Sequence, residues 1–152
     1  MRAVFDQLTN QFFKAVSFET GEKPDYEAIY DLFIDNGMLI KSTATEPEVA
    51  TVRQFIEPRQ KLVSSGRLTS FMEAEIAEMT DLFGNVAHRF CTYEKSGVQD
   101  GAAFAGRGMI SIQFVMTPDG WKMSTMAWDD ERIGLTVPDR YLPVPQPHGL
   151  EI

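Results

Sequence analysis

The stretch GRGMISIQFVMTPDGWKMSTMAWDD, Gly106 to Asp130, reads as two strands joined by a tight turn. Apolar and polar residues alternate on both sides of Pro118-Asp119-Gly120, and an Asp-Gly pair between alternating runs is a strong hairpin signal. With the turn at Asp119-Gly120, position 121 pairs with 118, 123 with 116, 125 with 114 and 127 with 112. One face then carries Ile110, Ile112, Phe114, Met116, Trp121, Met123, Thr125, Ala127 and Asp129. The other carries Met109, Ser111, Gln113, Val115, Lys122, Ser124, Met126 and Trp128. The first set is the more apolar and is expected to face the core.

Upstream lie two further strand-length runs, SFMEAEIAEMTDLF and NVAHRFCTYEK, separated by FGN and followed by SGVQDG. Four long antiparallel strands result. Before Gly66 the period changes. Val4, Phe5, Leu8, Phe12 and Val16 recur every three or four residues and predict a first helix. PDYEAIYDLFIDNG presents Tyr26, Ile29, Tyr30 and Phe33 as a second helical face that Asn36-Gly37 would cap, with MLIKS as a short strand after it. Thr45 and Glu48 have capping-box spacing for a third helix carrying Val52, Phe55, Ile56, Leu62 and Val63 up to Gly66, with Pro58 expected to kink or interrupt it. Residues 1–135 make one domain on this reading. Residues 136–152, with four of the eight prolines from Val137 onward, form an extended tail lying across the sheet or a neighbouring subunit.

Composition narrows the function. The chain has 152 residues, a formal charge of −8 and one cysteine. That is long enough for a core without disulfide or metal, and acidic enough to disfavour phosphate backbones and anionic lipid. Neither nucleic acid nor membrane is expected as a partner. The N-terminus reads as an amphipathic helix, not a signal peptide, and no run reaches the roughly 20 apolar residues of a bilayer span. A cytoplasmic protein is expected. No phosphate-binding, dinucleotide-binding or nucleophile-elbow motif occurs, and two distant histidines with one cysteine suggest no metal site and no cofactor.

The order helix, helix, short strand, helix, long antiparallel strands resembles the nuclear transport factor 2-like superfamily, in particular its SnoaL-like branch. The final hairpin, with a Trp opening its last strand, is the most specific match; DYEAIYDLFIDNGML and VRQFIEPRQKL support it. The resemblance covers roughly residues 5 to 132. It implies an α+β cone: three N-terminal helices on a strongly curved antiparallel sheet of four long strands plus one short one. A pocket between helices and sheet, and dimers, follow from the same likeness. The superfamily includes isomerases, dehydratases and cyclases as well as non-catalytic binding and assembly modules, so the fold alone does not assign a reaction.

In the second long strand, Val86, His88, Phe90 and Thr92 share one face and Ala87, Arg89, Cys91 and Tyr93 the other. Arg89 is the costlier group to bury without a partner, which places His88 towards the pocket. There it is a candidate acid or base, assisted by Asp129; the bland alternatives are a structural histidine and a solvated strand end. Tyr26 and Tyr30 are candidate hydrogen-bond donors, and Phe90, Phe114, Trp121, Met123 and Thr125 candidate pocket wall. The facing of Glu73 and Glu75 depends on whether FGN makes a two- or three-residue turn and stays open. The expected ligand is a small, largely apolar molecule, turned over by cofactor-free proton transfer if at all. The expected homodimer uses the outer sheet face with Gln113, Ser124, Met126 and Trp128. The rival expectation is a non-catalytic interaction module with a filled core.

Overall fold

The computed structural model of the chain describes residues 2–144. Helix α1 (Arg2–Val16) and helix α2 (Val52–Ser64), with a 3₁₀ helix at Tyr26–Leu32, lie with a six-stranded sheet. The strands are β1 (Phe33–Lys41), β2 (Glu48–Thr51), β3 (Leu68–Phe83), β4 (Val86–Gln99), β5 (Ala102–Thr117) and β6 (Gly120–Asp130). Their spatial order is β2-β1-β6-β5-β4-β3, antiparallel except for β1 beside β6. The architecture is α+β, as expected, but the sheet is mixed and not strongly curled.

Helix α1 follows its periodicity: Phe5, Leu8, Phe12 and Val16 are buried. Phe5 wedges between Phe114 and Trp121, with ring centroids 4.9 and 5.0 Å away. Each such aromatic pair adds about 0.5–1.5 kcal/mol beyond area burial. Arg89 ties the same helix to the sheet by donating to Asp6 at 2.8 Å.

Two elements correct the sequence reading. The second helix is only a 3₁₀ helix, and Asn36-Gly37 lies inside β1 instead of capping anything. Gly37 has a packing reason: a Cβ there would stand 2.8 Å from Phe33 Cδ2, where the pairing with β6 shifts register. The capping box sits six residues later than expected, because Glu48–Thr51 pair with β1 as a strand. Gln54 N–H donates to Thr51 Oγ1 at 3.1 Å and Thr51 N–H donates to Gln54 Oε1 at 3.0 Å. Helix α2 runs continuously past Pro58 and ends before Gly66, whose φ of +76° suits glycine.

The hairpin forms, with a bulge that matters. Trp121 pairs with Met116 and Met123 with Phe114, two positions from the expected register and hence on the same faces. Ser124 is then extra, and Thr125 pairs with Gln113. Beyond it the faces exchange: Met126 and Trp128 turn inward, while Thr125, Ala127 and Asp129 turn outward. Met126 is fully buried and Trp128 packs against Phe55 at 6.0 Å, so neither belongs to the outer dimer face expected for them.

The last described residues cross β4. Thr92 Oγ1 donates to the Tyr141 carbonyl at 2.5 Å, and the Tyr141 ring packs edge-on against Phe90 at 5.2 Å. The remainder of the tail, 145–152, lies outside the described residues.

Candidate functional site

The β3–β4 turn is two residues, with Phe83 opposite Val86, and a bulge at Ile76 then shifts the pairing so that Glu75 stands opposite Tyr93 and Glu73 opposite Lys95. Turn and bulge together settle the facing of both strands. Ala87, Arg89, Cys91 and Tyr93 are buried on the inner face, and His88 and Phe90 are exposed on the outer one. His88 therefore does not line a pocket. Its side chain is 67% exposed, and its Nε2 lies 3.1 Å from Asp81 Oδ2 on the neighbouring strand.

Arg89 is inside because it is not alone. Its Nε and Nη2 meet the Glu75 carboxylate at 2.9 and 2.5 Å, and Nη1 reaches Asp6 and Thr80. A bidentate carboxylate offsets much of the desolvation cost that made burial look prohibitive. The inward Cys91 thiol is pushed well above its ordinary pKa, first by burial and then by Glu75. It is inert.

Asp129 is not brought to His88. It faces outward four residues further along the sheet, aligned through Met109 with Thr92, and pairs with Arg132 at 2.6 Å. Tyr30 is exposed and Phe90 is covered only by the tail. Phe114, Trp121 and Met123 are plain core, and Thr125 faces away. Of the residues expected at the site, Tyr26 alone reaches the cavity that the fold contains.

That cavity, of about 410 Å³, lies between α2 and the inner face of the sheet. Its size is that of a small-ligand site. Phe12, Val16, Phe71, Phe104, Ile110 and Trp128 supply apolar wall, and Tyr26, Arg59, Glu73, Lys95 and Gln99 the polar groups. Met126 and Trp128 face it because of the bulge at Ser124.

Glu73 stands on β3 opposite Lys95 of β4. Burial pushes its carboxyl up to about 7; Lys95 and Arg59 pull the other way, and Asp130 adds to the rise. Among the described residues no side chain or backbone donor bonds the Glu73 carboxylate. Lys95 is engaged elsewhere, its Nζ 2.7 Å from Asp130 Oδ2. Asp130 also accepts from Tyr93, whose phenol crosses above Gly108 and shares its one proton with the Asp129 carbonyl at 3.1 Å. Burial and Asp130 both raise the Tyr93 pKa, which keeps that phenol protonated.

Arg59 enters from α2, its guanidinium 3.7 Å from the centroid of the Phe55 ring and Nη1 donating to the Phe55 carbonyl at 2.9 Å. Burial lowers its pKa, opposed by Tyr26, Glu73 and Glu48. Tyr26 is raised by burial and lowered by Arg59. The cavity thus joins an acid that titrates near neutrality to two donors, the tyrosine hydroxyl and the guanidinium. Such a set can move a proton and hold an oxygen.

Sequence reasoning missed Glu73, Arg59 and Lys95. A signal for Arg59 existed: it follows buried Phe55 by four residues on one helix, hence on one face. Glu73 needed both the turn length that the sequence left open and the bulge at Ile76, which turns it inward. No group of acidic, histidine or cysteine side chains with metal-binding geometry occurs among the described residues, nor any helix long and apolar enough to cross a membrane.

Neither family models nor curated proteins match this chain. Solved structures do. A nuclear transport factor 2-like superfamily protein from Salmonella enterica serovar Typhimurium is 14% identical, with a TM-score of 0.70 over 86% of this chain and 91% of that one. An NTF2-like protein from Cytophaga hutchinsonii is 14% identical, with a TM-score of 0.67 over 86% of this chain and 98% of that one. A conserved protein from Planctomyces limnophilus gives 13%, 0.70, 86% and 95%. At such identities the likeness speaks for the fold and not for a reaction. The chain carries the nuclear transport factor 2-like fold.

Proposed function

We propose that the protein binds a small, largely apolar molecule in the cavity beneath α2, in the manner of the SnoaL-like branch, and moves a proton on it without a cofactor. Glu73 replaces His88 as the group that gives or takes the proton, and Tyr26 with Arg59 holds the oxygen on which charge develops. The observation that carries this reading is a carboxyl held near pH 7, free of protein donors, in a mainly apolar cavity of ligand size. A cyclic ketone such as 2-tetralone, incubated in deuterated buffer and followed by NMR, provides the test. The protein should speed exchange of the α-protons over the buffer rate, and Glu73→Gln should abolish that gain. Exchange at the buffer rate with the unmodified protein defeats the proton-transfer reading.

The outer face carries exposed apolar side chains. Met79, Val86 and Phe90 are exposed there at 54%, 47% and 37%, with Gln113 and Ser124 further along. We propose that this face pairs two copies of the chain, with Met126 and Trp128 excluded from the contact. Sedimentation equilibrium at micromolar concentration should report a dimer; a monomer removes the proposal.

A further inference from the structure

The charges around the cavity are unevenly satisfied, and on the reading that it is a ligand site this imbalance specifies the ligand. Lys95 from β4 is neutralised by Asp130 from β6 at 2.7 Å. Lys41 from β1 and Glu48 from β2 stand exposed at the rim. Arg59 from α2 is different. One of its five N–H donors is used by the Phe55 carbonyl, and no carboxylate pairs with it among the described residues. The Tyr26 hydroxyl beside it has no protein partner among the same residues, although Tyr26 is almost wholly buried. The third group without a partner is the Glu73 carboxyl.

We propose that the ligand carries one carboxylate, seated on Arg59 and Tyr26, and that Glu73 takes up a proton from solvent as this anion enters. A planar guanidinium with free donors next to a phenol suits the two oxygens of a carboxylate. Two negative charges cannot share so dry a space cheaply, so the anion raises the proton affinity of Glu73 further. In the empty cavity that group already titrates at about 7. Below that pH the proton is largely present before binding; above it, the proton must be drawn in with the ligand. Affinity for the carboxylate therefore falls as pH rises, on the order of tenfold per unit once uptake is complete. Glu73 then meets an anionic substrate protonated, ready to give its proton, and towards a neutral ketone it can still take one.

The test is calorimetry on the full chain with 2-naphthoate and its neutral counterpart 2-naphthalenemethanol, at about pH 6 and about pH 8. At the higher pH, HEPES and Tris buffers, which differ in ionisation heat, count the protons. We expect 2-naphthoate to bind about tenfold or more tightly than the alcohol at the lower pH. That preference should shrink towards the higher pH, with close to one proton taken up. Arg59→Met should weaken 2-naphthoate about tenfold or more beyond whatever it does to the alcohol, and Glu73→Gln should keep the preference at both pH values with no proton uptake. The alcohol binding as tightly as 2-naphthoate, with no proton uptake, overturns the inference and leaves the apolar cavity a ligand site. Binding of neither compound overturns both. The wild-type measurements decide the matter even where a variant fails to fold.

Discussion

Neighbours in β4, His88 and Arg89, divide between the two faces of the sheet against intuition. Arg89 is 2% exposed, and it is the group whose loss the fold should feel. Arg89→Met strands the Glu75 carboxylate in the interior and should cost about 3–5 kcal/mol in denaturant unfolding, whereas His88→Ala should stay within about 0.5 kcal/mol. Equal effects would contradict the assignment of faces. Sequence could not deliver this, because the partners that make Arg89 tolerable are distant: Asp6 lies 83 residues away, and Glu75 is on a strand whose register was open. Its burial cost was legible and the compensation was not. Glu73 adds a pH signature. Its folded pKa is raised from 4.5 to about 7, so the native state holds a proton that the unfolded chain releases in that interval. Stability therefore falls as pH rises from about 4.5 to about 7, and the penalty is fully present above it. Glu73→Gln should raise stability on the order of 2 kcal/mol at about pH 8 and change little at about pH 4. A pH-independent effect in thermal melts would remove the raised carboxyl from the account.

Among elements, those built from local pattern were legible and those built from distant pairing were not. Helix α1, the end of α2 at Gly66 and the existence of the β5–β6 hairpin follow from spacing and turn residues, while the hairpin's register lies two positions from the expected one. The conversion of the second helix into a 3₁₀ helix and β1 depends on β6, some ninety positions later: Leu39 pairs with Met126. Helical spacing in DYEAIYDLF carries no trace of that partner. The bulge at Ser124 was equally hidden, and its consequence is functional, since it turns Trp128 and Met126 into the cavity. Gly108 shows the same dependence on neighbours across the sheet. A Cβ there would run into the Asp129 carbonyl and the Tyr93 hydroxyl, the group that joins β4 to β6. Gly108→Ala should cost about 2–4 kcal/mol in denaturant unfolding, through overpacking and the loss of that hydrogen bond. An effect below about 0.5 kcal/mol would show that Tyr93 moves aside freely.

For the whole molecule, the fold class was within reach of the sequence while the site was not. Element order and the final hairpin pointed to the nuclear transport factor 2-like fold, which the solved structures bear out. The site turned on the face that each strand shows, and one residue of register exchanges the faces. An inner cavity with Glu73, Arg59 and Tyr26 now stands where the outward His88 had been expected. Two reporters tell these locations apart in one titration: the indole N–H of Trp128 inside and the imidazole of His88 outside. NMR spectra of the labelled protein, titrated with the neutral 2-naphthalenemethanol, should show saturable shifts at Trp128, Phe71 and Glu73 while the His88 ring stays still. Shifts centred on His88 and Phe90, or none anywhere, would contradict the account.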